Sequence, residues 1–259
     1  MPPLPSAPEP VGCRECLRGA GLDFDFTMAF HPIVDAEAGA VWAHEALVRG
    51  TDGASAAEVL ARVTDRTRYR FDQACRVKAI ELAARLQPPR LSINFLPNAV
   101  YRPETCIRTT LEAAREFGFP VERMIFEVTE GERIDDKAHL AGIIREYRRL
   151  GFATAIDDFG AGHSGLNLLA EFQPDFIKLD MALTRGIHRD PVRRAIVQGI
   201  LGVCAELRIE AVAEGIELAE ELAALRDLGL RLFQGFWFAE PGFESLPAVP
   251  PDRLAPRPR

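Results

Sequence analysis

The predicted fold depends most on residues 27–49, which read TMAFHPIVDAEAGAVWAHEALVR. Two runs rich in β-branched and aromatic residues, Thr27–Val34 and Val41–Arg49, are separated only by Asp35–Ala40. Parallel neighbouring strands need a crossover connection of about a dozen residues or more, and this connection is far shorter. It also contains Gly39, a typical turn residue. The stretch therefore predicts an antiparallel hairpin.

Beyond the hairpin, short apolar runs alternate with helical patterns. The runs predict strands at Leu91–Phe95, Met124–Thr129, Phe152–Asp157, Phe176–Leu179, Ile209–Ala213 and Leu232–Trp237. Helical periodicity is found in Phe71–Leu86, Glu104–Phe117, Asp136–Leu150, Pro191–Leu207 and Glu217–Leu228. Eight strands with intervening helices predict an α/β fold, a modified TIM (β/α)8 barrel with an antiparallel first strand. An open doubly wound sheet is the alternative that the strand count leaves open.

Composition indicates one globular domain between two tails. The chain has 259 residues, of which 47% are hydrophobic and 27% charged, and its 19 prolines cluster at both ends. We expect an N-terminal tail over residues 1–21, a barrel domain over 22–242 and a Pro-rich C-terminal tail over 243–259. Both tails are expected to be poorly ordered, since prolines dominate them. The first tail contains a Cys-x-x-Cys pair, Cys13 and Cys16, interpreted as unpaired thiols because no further ligand adjoins them.

Charge and hydropathy exclude several classes of partner. The net charge of −7 gives the chain no general attraction for nucleic acid polymers. No apolar run approaches the roughly 18 residues that span a bilayer, and the N-terminus lacks the pattern of a secretory signal. The five cysteines are too few for a disulfide scaffold. We therefore expect a cytoplasmic protein with no membrane insertion.

Polar side chains recur at or near the ends of the predicted strands. They are Glu45, Asn94, Glu127, Asp157, Asp158, Lys178, Glu214 and Gln234. In a barrel the carboxyl ends of the strands converge on one face, where active sites lie. Packing does not explain so many polar groups at these positions, so the pattern predicts a functional site.

The acidic residues of this set favour a metal site with oxygen ligands. Carboxylates crowded in one pocket repel one another unless protons or cations neutralise them. No histidine pair shows a zinc-ligand spacing, so Mg²⁺, Mn²⁺ or Ca²⁺ fits better than zinc. The adjacent Asp157 and Asp158 are able to bridge two ions, an arrangement used for phosphoryl transfer to water.

The motifs around these residues resemble the EAL-domain family, the cyclic di-GMP phosphodiesterases. They are Glu45-Ala46-Leu47 with Arg49, Ser92-Ile93-Asn94, Glu127-Val128-Thr129-Glu130, Asp157-Asp158-Phe159-Gly160, Ile177-Lys178-Leu179-Asp180, Ala213-Glu214-Gly215-Ile216-Glu217 and Gln234-Gly235. A Glu-Ala-Leu match alone carries no weight, whereas seven motifs in the family's order are specific.

The resemblance implies hydrolysis of cyclic di-GMP to linear pGpG with two divalent cations, Mg²⁺ or Mn²⁺, while Ca²⁺ is expected to be inhibitory. It implies metal ligation by Glu45, Asn94, Glu127, Asp157 and Asp158. It implies catalytic or bracing roles for Lys178, Glu214, Glu130 and Glu217, and substrate binding by Arg49, Leu47, Gln234 and His31. It further implies a homodimer formed through the loop and helix after Asp158.

Some positions depart from the family's usual pattern. His31 stands where the family commonly has a Gln before Pro-Ile-Val, so we expect a base contact that differs from the family's. His163 lies in a loop whose sequence usually differs, so we expect altered coupling of that loop. The basic segment Arg66–Arg76 is interpreted as the solvated start of a helix, with a phosphate-facing role as the alternative. No proposed metal ligand is lost.

Two other functions stay open from the sequence. The first is a sensor that binds cyclic di-GMP with little or no cleavage, although such a protein is expected to have lost metal ligands. The second is a barrel lyase that uses the Lys178 amine to form a Schiff base. The lyase leaves the crowded carboxylates without a role.

Overall fold

The computed structural model describes residues 22–97, 100, 103–129, 137–162 and 165–254. In these ranges nine strands form one sheet. Their bounds are β1 Phe26–Asp35, β2 Ala40–Gly50, β3 Leu91–Asn94, β4 Met124–Thr129, β5 Ala153–Phe159, β6 Phe176–Leu179, β7 Glu210–Ala213, β8 Leu232–Gln234 and β9 Gly242–Phe243.

The sheet closes on itself. Strands β2 to β8 pair in sequence order and in parallel, and β1 pairs with both β8 and β2. Both pairings of β1 are antiparallel. The modified TIM barrel with an antiparallel first strand is therefore confirmed, and the open doubly wound sheet is excluded.

The hairpin between β1 and β2 forms where the sequence predicted it. The Asp35 carboxylate accepts hydrogen bonds from the backbone N–H groups of Glu37 and Ala38 at 3.0 and 2.9 Å. Gly39 has a φ of 64°, in the left-handed region that favours glycine. A side chain that stabilises the turn and a residue that tolerates its backbone explain the tight reversal.

Helices cover the outside of the barrel. They are α1 Ala56–Leu60, α2 Arg68–Leu86, α3 Pro103–Phe117, α4 Lys137–Arg149, α5 Gly165–Glu171, α6 Met181–Thr184, α7 Pro191–Leu207, α8 Ala219–Asp227 and α9 Pro251–Leu254. The five predicted helices are confirmed to within a few residues at each end. Among the described residues, no helix combines the length and apolar composition of a membrane-spanning segment.

The core lies mainly between the strands and the helices. Outward-facing strand residues such as Phe30, Phe126 and Phe233 are completely buried in one large cluster. A separate small cluster contains Ile33, Ala43, Val212 and Leu232, with Phe176 packed against it.

The described part of the C-terminal tail differs from the expectation of poor order. Strand β9 pairs antiparallel with β1, so that Phe243 is opposite Ala29. The Arg253 guanidinium lies over the Trp237 ring at 4.9 Å and donates to the Trp237 carbonyl. These contacts order residues 243–254 against the barrel, which proline content alone did not reveal. Cys13 and Cys16 lie outside the described residues, and the domain limits stay predictions.

Candidate metal and phosphodiester site

Strand alternation places the polar residues together. Side chains two residues apart on a strand share a face. On β2, β6 and β8, and at the end of β7, the chain repeats one pattern. A residue of the small apolar cluster, or one packed against it, is followed two residues later by a polar residue, which for β7 is the residue directly after the strand. These pairs are Ala43 and Glu45, Phe176 and Lys178, Val212 and Glu214, and Leu232 and Gln234. The interior is therefore apolar towards the amino ends of the strands and charged at their carboxyl ends.

Lys178 lies at the centre of the charged end. Its buried Nζ is 2.8 Å from Glu214, 2.9 Å from Asp157, 3.0 Å from Glu127 and 3.1 Å from Glu45. Burial alone lowers the pKa of a lysine, but the four carboxylates outweigh it and raise the pKa of Lys178 well above its usual value. The side chain is therefore a permanent cation.

Neighbouring polar side chains orient Glu45. Asn94 Nδ2 donates to Glu45 Oε1 at 2.8 Å, and Gln234 Nε2 donates to Glu45 Oε2 at 2.9 Å. Burial opposes the ionisation of Glu45, yet Lys178 and Gln234 hold its pKa below the usual value. Because Nδ2 of Asn94 donates to Glu45, the amide oxygen of Asn94 is the side-chain atom that remains able to coordinate a metal ion.

Ser92 is a site residue that sequence reasoning missed. Its hydroxyl donates to Oε1 of Glu127, and the serine is completely buried. It lies two residues before Asn94 on β3, so it shares the face of Asn94. That spacing was the available signal, but serine alone on a strand is too common to single out.

Asp157 and Asp158 both reach the site because β5 is irregular. Adjacent residues of a regular strand point to opposite faces. The pairing of β5 with β6 shifts between Ile156 and Phe159, and Asp158 has a φ of 55°. A residue with left-handed backbone angles at a strand irregularity points its side chain in a different direction from that of a regular strand residue. One oxygen each of Asp157, Asp158 and Glu214 consequently lie within 4.8 Å of one another.

The carboxylates form two groups that share Asp157. One group contains Glu45, Glu127 and Asp157, and the other contains Asp157, Asp158 and Glu214. Five carboxylates therefore surround one ammonium, leaving an excess of four negative charges when all are ionised. Oxygen-only donors with excess negative charge fit hard divalent cations.

Burial, together with the neighbouring negative charges, raises the pKa values of several of these carboxyls. Desolvation raises the pKa of Glu127 to about 8 despite the attraction of Lys178. Desolvation and the nearby charge of Asp157 raise the pKa of Asp158 to about 6. Burial also raises the pKa of Glu214 well above its usual value. One ammonium is too little positive charge for this cluster.

His31, Leu47 and Arg49 lie on the hairpin beside the cluster. His31 is directly opposite Glu45 in the β1–β2 pairing, and Leu47 and Arg49 follow Glu45 on the same strand face. Burial lowers the pKa of His31, so the neutral ring donates Nε2–H to the Ala239 carbonyl at 3.1 Å. Arg49 donates to the preceding backbone carbonyl at 2.7 Å. All three residues are partly exposed.

The remaining predicted residues lie apart from the cluster or outside the described residues. Glu217 is about half exposed, and its carboxylate forms an ion pair with Arg185. The backbone N–H of Glu217 donates to Glu221 at 3.1 Å. Glu130 and His163 lie outside the described residues. The structure therefore brings Lys178 and Glu214 together but not Glu217.

Comparison with known proteins identifies the family. The sequence matches the EAL domain over residues 16–241. The chain belongs to the EAL domain family. A standalone EAL protein from Vibrio cholerae O395, solved with c-di-GMP bound, has 55% sequence identity and a TM-score of 0.87. That comparison covers 90% of this chain and 99% of the other.

Klebsiella pneumoniae BlrP1 is a second structural neighbour, solved with cyclic di-GMP and either manganese or calcium. Its manganese complex at pH 9.0 is 38% identical with a TM-score of 0.80, over 85% of this chain and 56% of that chain. BlrP1 thus accepts either ion together with cyclic di-GMP.

Two curated relatives from Escherichia coli K12 and Pseudomonas aeruginosa PAO1 extend the comparison. BluF of E. coli, a blue light- and temperature-regulated antirepressor, is 33% identical over 223 residues, 85% of this chain and 55% of BluF. PA2567 of P. aeruginosa, named a cyclic di-GMP phosphodiesterase, is 29% identical over 230 residues, 85% of this chain and 39% of that protein. This EAL domain thus spans about half or less of either relative.

Proposed function

We propose that this EAL domain hydrolyses cyclic di-GMP to linear pGpG. The observation that carries the proposal is the cluster of five carboxylates, Asn94 and Lys178 at the carboxyl end of the barrel. Its acidic excess fits divalent cations, and bound cations turn an acidic pocket into a site for an anionic phosphodiester. The c-di-GMP bound to the V. cholerae EAL protein and the name of PA2567 support this substrate and activity.

We propose two divalent cations, Mg²⁺ or Mn²⁺, as the cofactors. Two such ions would balance the excess of four negative charges. The first would be held by Glu45, Asn94, Glu127 and Asp157, and the second by Asp157, Asp158 and Glu214. When bound, divalent cations neutralise phosphate charge and lower the pKa of coordinated water.

Other side chains of the site would position the acidic ligands and the substrate phosphate. Lys178 holds four carboxylates in one geometry and supplies a fixed positive charge beside the reacting phosphate. Arg49 is on the substrate side of Glu45, where its planar guanidinium is able to bind a phosphate through two hydrogen bonds. We also propose that His31, Leu47 and Gln234 bind the substrate, and that Glu130 and Glu217 have supporting roles.

In the reaction, a water oxygen forms a bond to one phosphorus and the bond from that phosphorus to O3′ breaks. The leaving O3′ takes a proton, and the opened product carries a 5′-phosphate. One water is consumed for each pGpG formed. No electron transfer is involved.

Product chromatography tests the proposal directly. Cyclic di-GMP is incubated with the protein and Mg²⁺ or Mn²⁺, and the nucleotides are separated. We expect pGpG from the wild type and from Asp175→Asn, a control variant that loses a carboxylate at the opposite end of the barrel. We expect almost none from Glu45→Gln, which keeps the shape of Glu45. Intact cyclic di-GMP in every wild-type reaction would refute hydrolysis.

A binding-only sensor is the second candidate. The named role of BluF as an antirepressor is the observation that favours it, because BluF matches 85% of this chain. A sensor of this kind binds cyclic di-GMP in calorimetry but yields no pGpG with either ion. The complete set of acidic ligands favours the enzyme.

The lyase alternative conflicts with the electrostatics of Lys178. A Schiff-base lysine needs a lowered pKa to present a neutral amine. Four carboxylates within 3.1 Å of Nζ raise the pKa of Lys178 instead. The amine is held as a cation, so a nucleophilic role is not proposed.

We also propose a homodimer formed through the loop and helix after Asp158. On α5 the side chain of Leu166 is 62% exposed, and on α7 Val192 and Ile196 are 66% and 47% exposed. Sedimentation of wild type and Leu166→Glu tests this surface, with a dimer expected only for the wild type. The cytoplasmic location stays a prediction.

A further inference from the structure

A buried ion pair lies on helix α2, outside the metal and phosphodiester site. Asp72 and Arg76 are one helical turn apart, and Arg76 Nη2 is 2.6 Å from Asp72 Oδ2. Their side chains are 2% and 0% exposed. The interpretation of segment Arg66–Arg76 as a solvated helix start is therefore wrong for Arg76. Residues 72 and 76 share the helix face that packs on the barrel, since a helix repeats every 3.6 residues.

Arg76 is enclosed by aromatic side chains that adjoin two proposed metal ligands. Its guanidinium carbon lies 5.5 Å from the ring centre of Phe95 and 5.3 Å from that of Phe126. Phe95 directly follows Asn94, and Phe126 directly precedes Glu127. Arg76 Nη1 also donates to the hydroxyl of Tyr147 at 2.9 Å. The guanidinium thus packs behind both ligand-bearing strands.

Asp72 fixes the backbone beyond Asn94. Its Oδ1 accepts a hydrogen bond from the N–H of Leu96 at 2.9 Å, and strand β3 has already ended at Asn94. The preceding N–H, of Phe95, donates to the carbonyl of Glu127 at 2.9 Å. The chain after Asn94 is therefore held at two successive amides, one by β4 and one by Asp72.

Stability is a poor explanation for this pair. A buried ion pair loses hydration, and apolar residues of similar volume are often as stable in its place. What an apolar pair does not supply is a charged acceptor for the Leu96 amide. The contacts therefore point to placement of the neighbouring backbone.

We propose that Asp72 and Arg76 are positioning residues for the metal site. Arg76 orients Asp72 and packs Phe95 and Phe126, while Asp72 fixes the Leu96 amide, and together they set the place of Asn94 against Glu127. The inference rests on the proposed function, because it concerns residues that would hold the cations. Residues that orient metal ligands in this indirect way typically change metal affinity or activity 10–100-fold when replaced.

The test compares an apolar double variant with a matched control. Asp72→Leu/Arg76→Met removes both charges together and leaves no unpaired buried ion. The control is Asp175→Asn, because Asp175 also pairs with an arginine, Arg148, and accepts a strand N–H, from Thr154 at 2.9 Å. It does so at the amino end of β5, far from the site. Tyr147→Phe is a second control that removes only one hydrogen bond of Arg76.

Two measurements are made on the full chain. Hydrogen exchange of the peptide containing Leu96 measures the fixed amide without any metal. Calorimetric titration with Mn²⁺ alone measures metal affinity without substrate. We expect faster exchange at Leu96 and an affinity for Mn²⁺ that is about 10- to 100-fold weaker in the double variant only. Asp175→Asn and Tyr147→Phe should titrate like the wild type.

The two measurements separate failure of this inference from failure of the proposed function. A folded double variant with wild-type Mn²⁺ affinity, or with unchanged exchange at Leu96, overturns the positioning role. If the double variant does not fold, the conservative Asp72→Glu variant, measured the same way, decides the outcome. Wild-type protein that binds no Mn²⁺ contradicts the proposed metal site, while faster exchange in the variant would still establish Asp72 as the anchor of this backbone.

Discussion

Among the residues that the structure describes, two buried cations, Arg76 and Lys178, have contrasting surroundings. Arg76 faces one carboxylate, Asp72, and a set of aromatic rings, so its charge is balanced. Lys178 faces four carboxylates, and Asp158 adds a fifth, so its cluster is strongly negative. A balanced pair needs no further ion and fixes structure, whereas an unbalanced cluster attracts cations. Charge imbalance, more than burial of charge, distinguishes the functional site.

The largest expected effect follows from removing the carboxylate shared by both acidic groups. Asp157→Ala should reduce pGpG formation by about 10³-fold or more, since metal stabilisation of the transition state is worth several kcal/mol. The variant should unfold with a free energy equal to or above that of the metal-free wild type, because it relieves repulsion. Initial rates and denaturant unfolding measure both quantities. If Asp157→Ala hydrolyses cyclic di-GMP at the wild-type rate, Asp157 does not hold a cation that the reaction needs.

Exchange of the cation should separate binding from turnover. Ca²⁺ prefers longer bonds of about 2.3–2.6 Å and more ligands than Mg²⁺, so it polarises water less at the same charge. We expect calorimetric binding of cyclic di-GMP in Ca²⁺ with little or no pGpG, and pGpG in Mg²⁺ or Mn²⁺. Turnover in Ca²⁺ equal to that in Mg²⁺, or turnover in excess EDTA, would contradict the cation's role.

Breaking the balanced pair should cost stability where breaking the unbalanced cluster does not. Asp72→Asn leaves the Arg76 charge buried without a counterion, which should lower the free energy of unfolding by about 3–5 kcal/mol. Asp157→Asn, the same chemical change in the acidic cluster, should leave the free energy of unfolding unchanged or raise it. Urea unfolding of the two metal-free variants makes the comparison. Equal losses of unfolding free energy in the two variants would contradict the distinction between a charge-balanced pair and a charge-unbalanced cluster.

The pH dependence of stability gives a smaller effect. The raised pKa of Glu127, about 8 in the folded protein against 4.5 as the ordinary value, means that the folded state binds more protons than the unfolded state between these values. Metal-free stability should therefore fall as the pH rises from about 7 to 8.5, by up to about 1.4 kcal/mol per pH unit for the Glu127 proton. The raised pKa of Glu214 acts in the same direction. The lowered pKa values of His31 and His44 act in the opposite direction, mainly below this window. Saturating Mn²⁺ should reduce this dependence of stability on pH. If the stability of the metal-free protein rises with pH in this window, the raised pKa of Glu127 is contradicted.

The sequence predicted the barrel because strand periodicity and one short connection are local features. It also predicted that polar side chains from several strands meet at one end of the barrel, because the carboxyl ends of parallel strands converge there. The role of Asp72 was not predictable, because the Leu96 amide that it binds is distant in sequence. The irregularity at Asp158 depends on pairing with β6, and the packing of Arg253 on Trp237 depends on tertiary contact. Local patterns do not encode these relationships.

Calorimetric titration of the metal-free wild type with Mn²⁺ tests the central claim most directly, because the claim is that charge imbalance at Lys178 creates a cation site. The account predicts two Mn²⁺ ions per chain in the wild type and in Asp175→Asn. It predicts strongly weakened binding at both positions in Asp157→Ala, since Asp157 belongs to both acidic groups. No binding by the wild type, or wild-type binding by Asp157→Ala, would contradict the account.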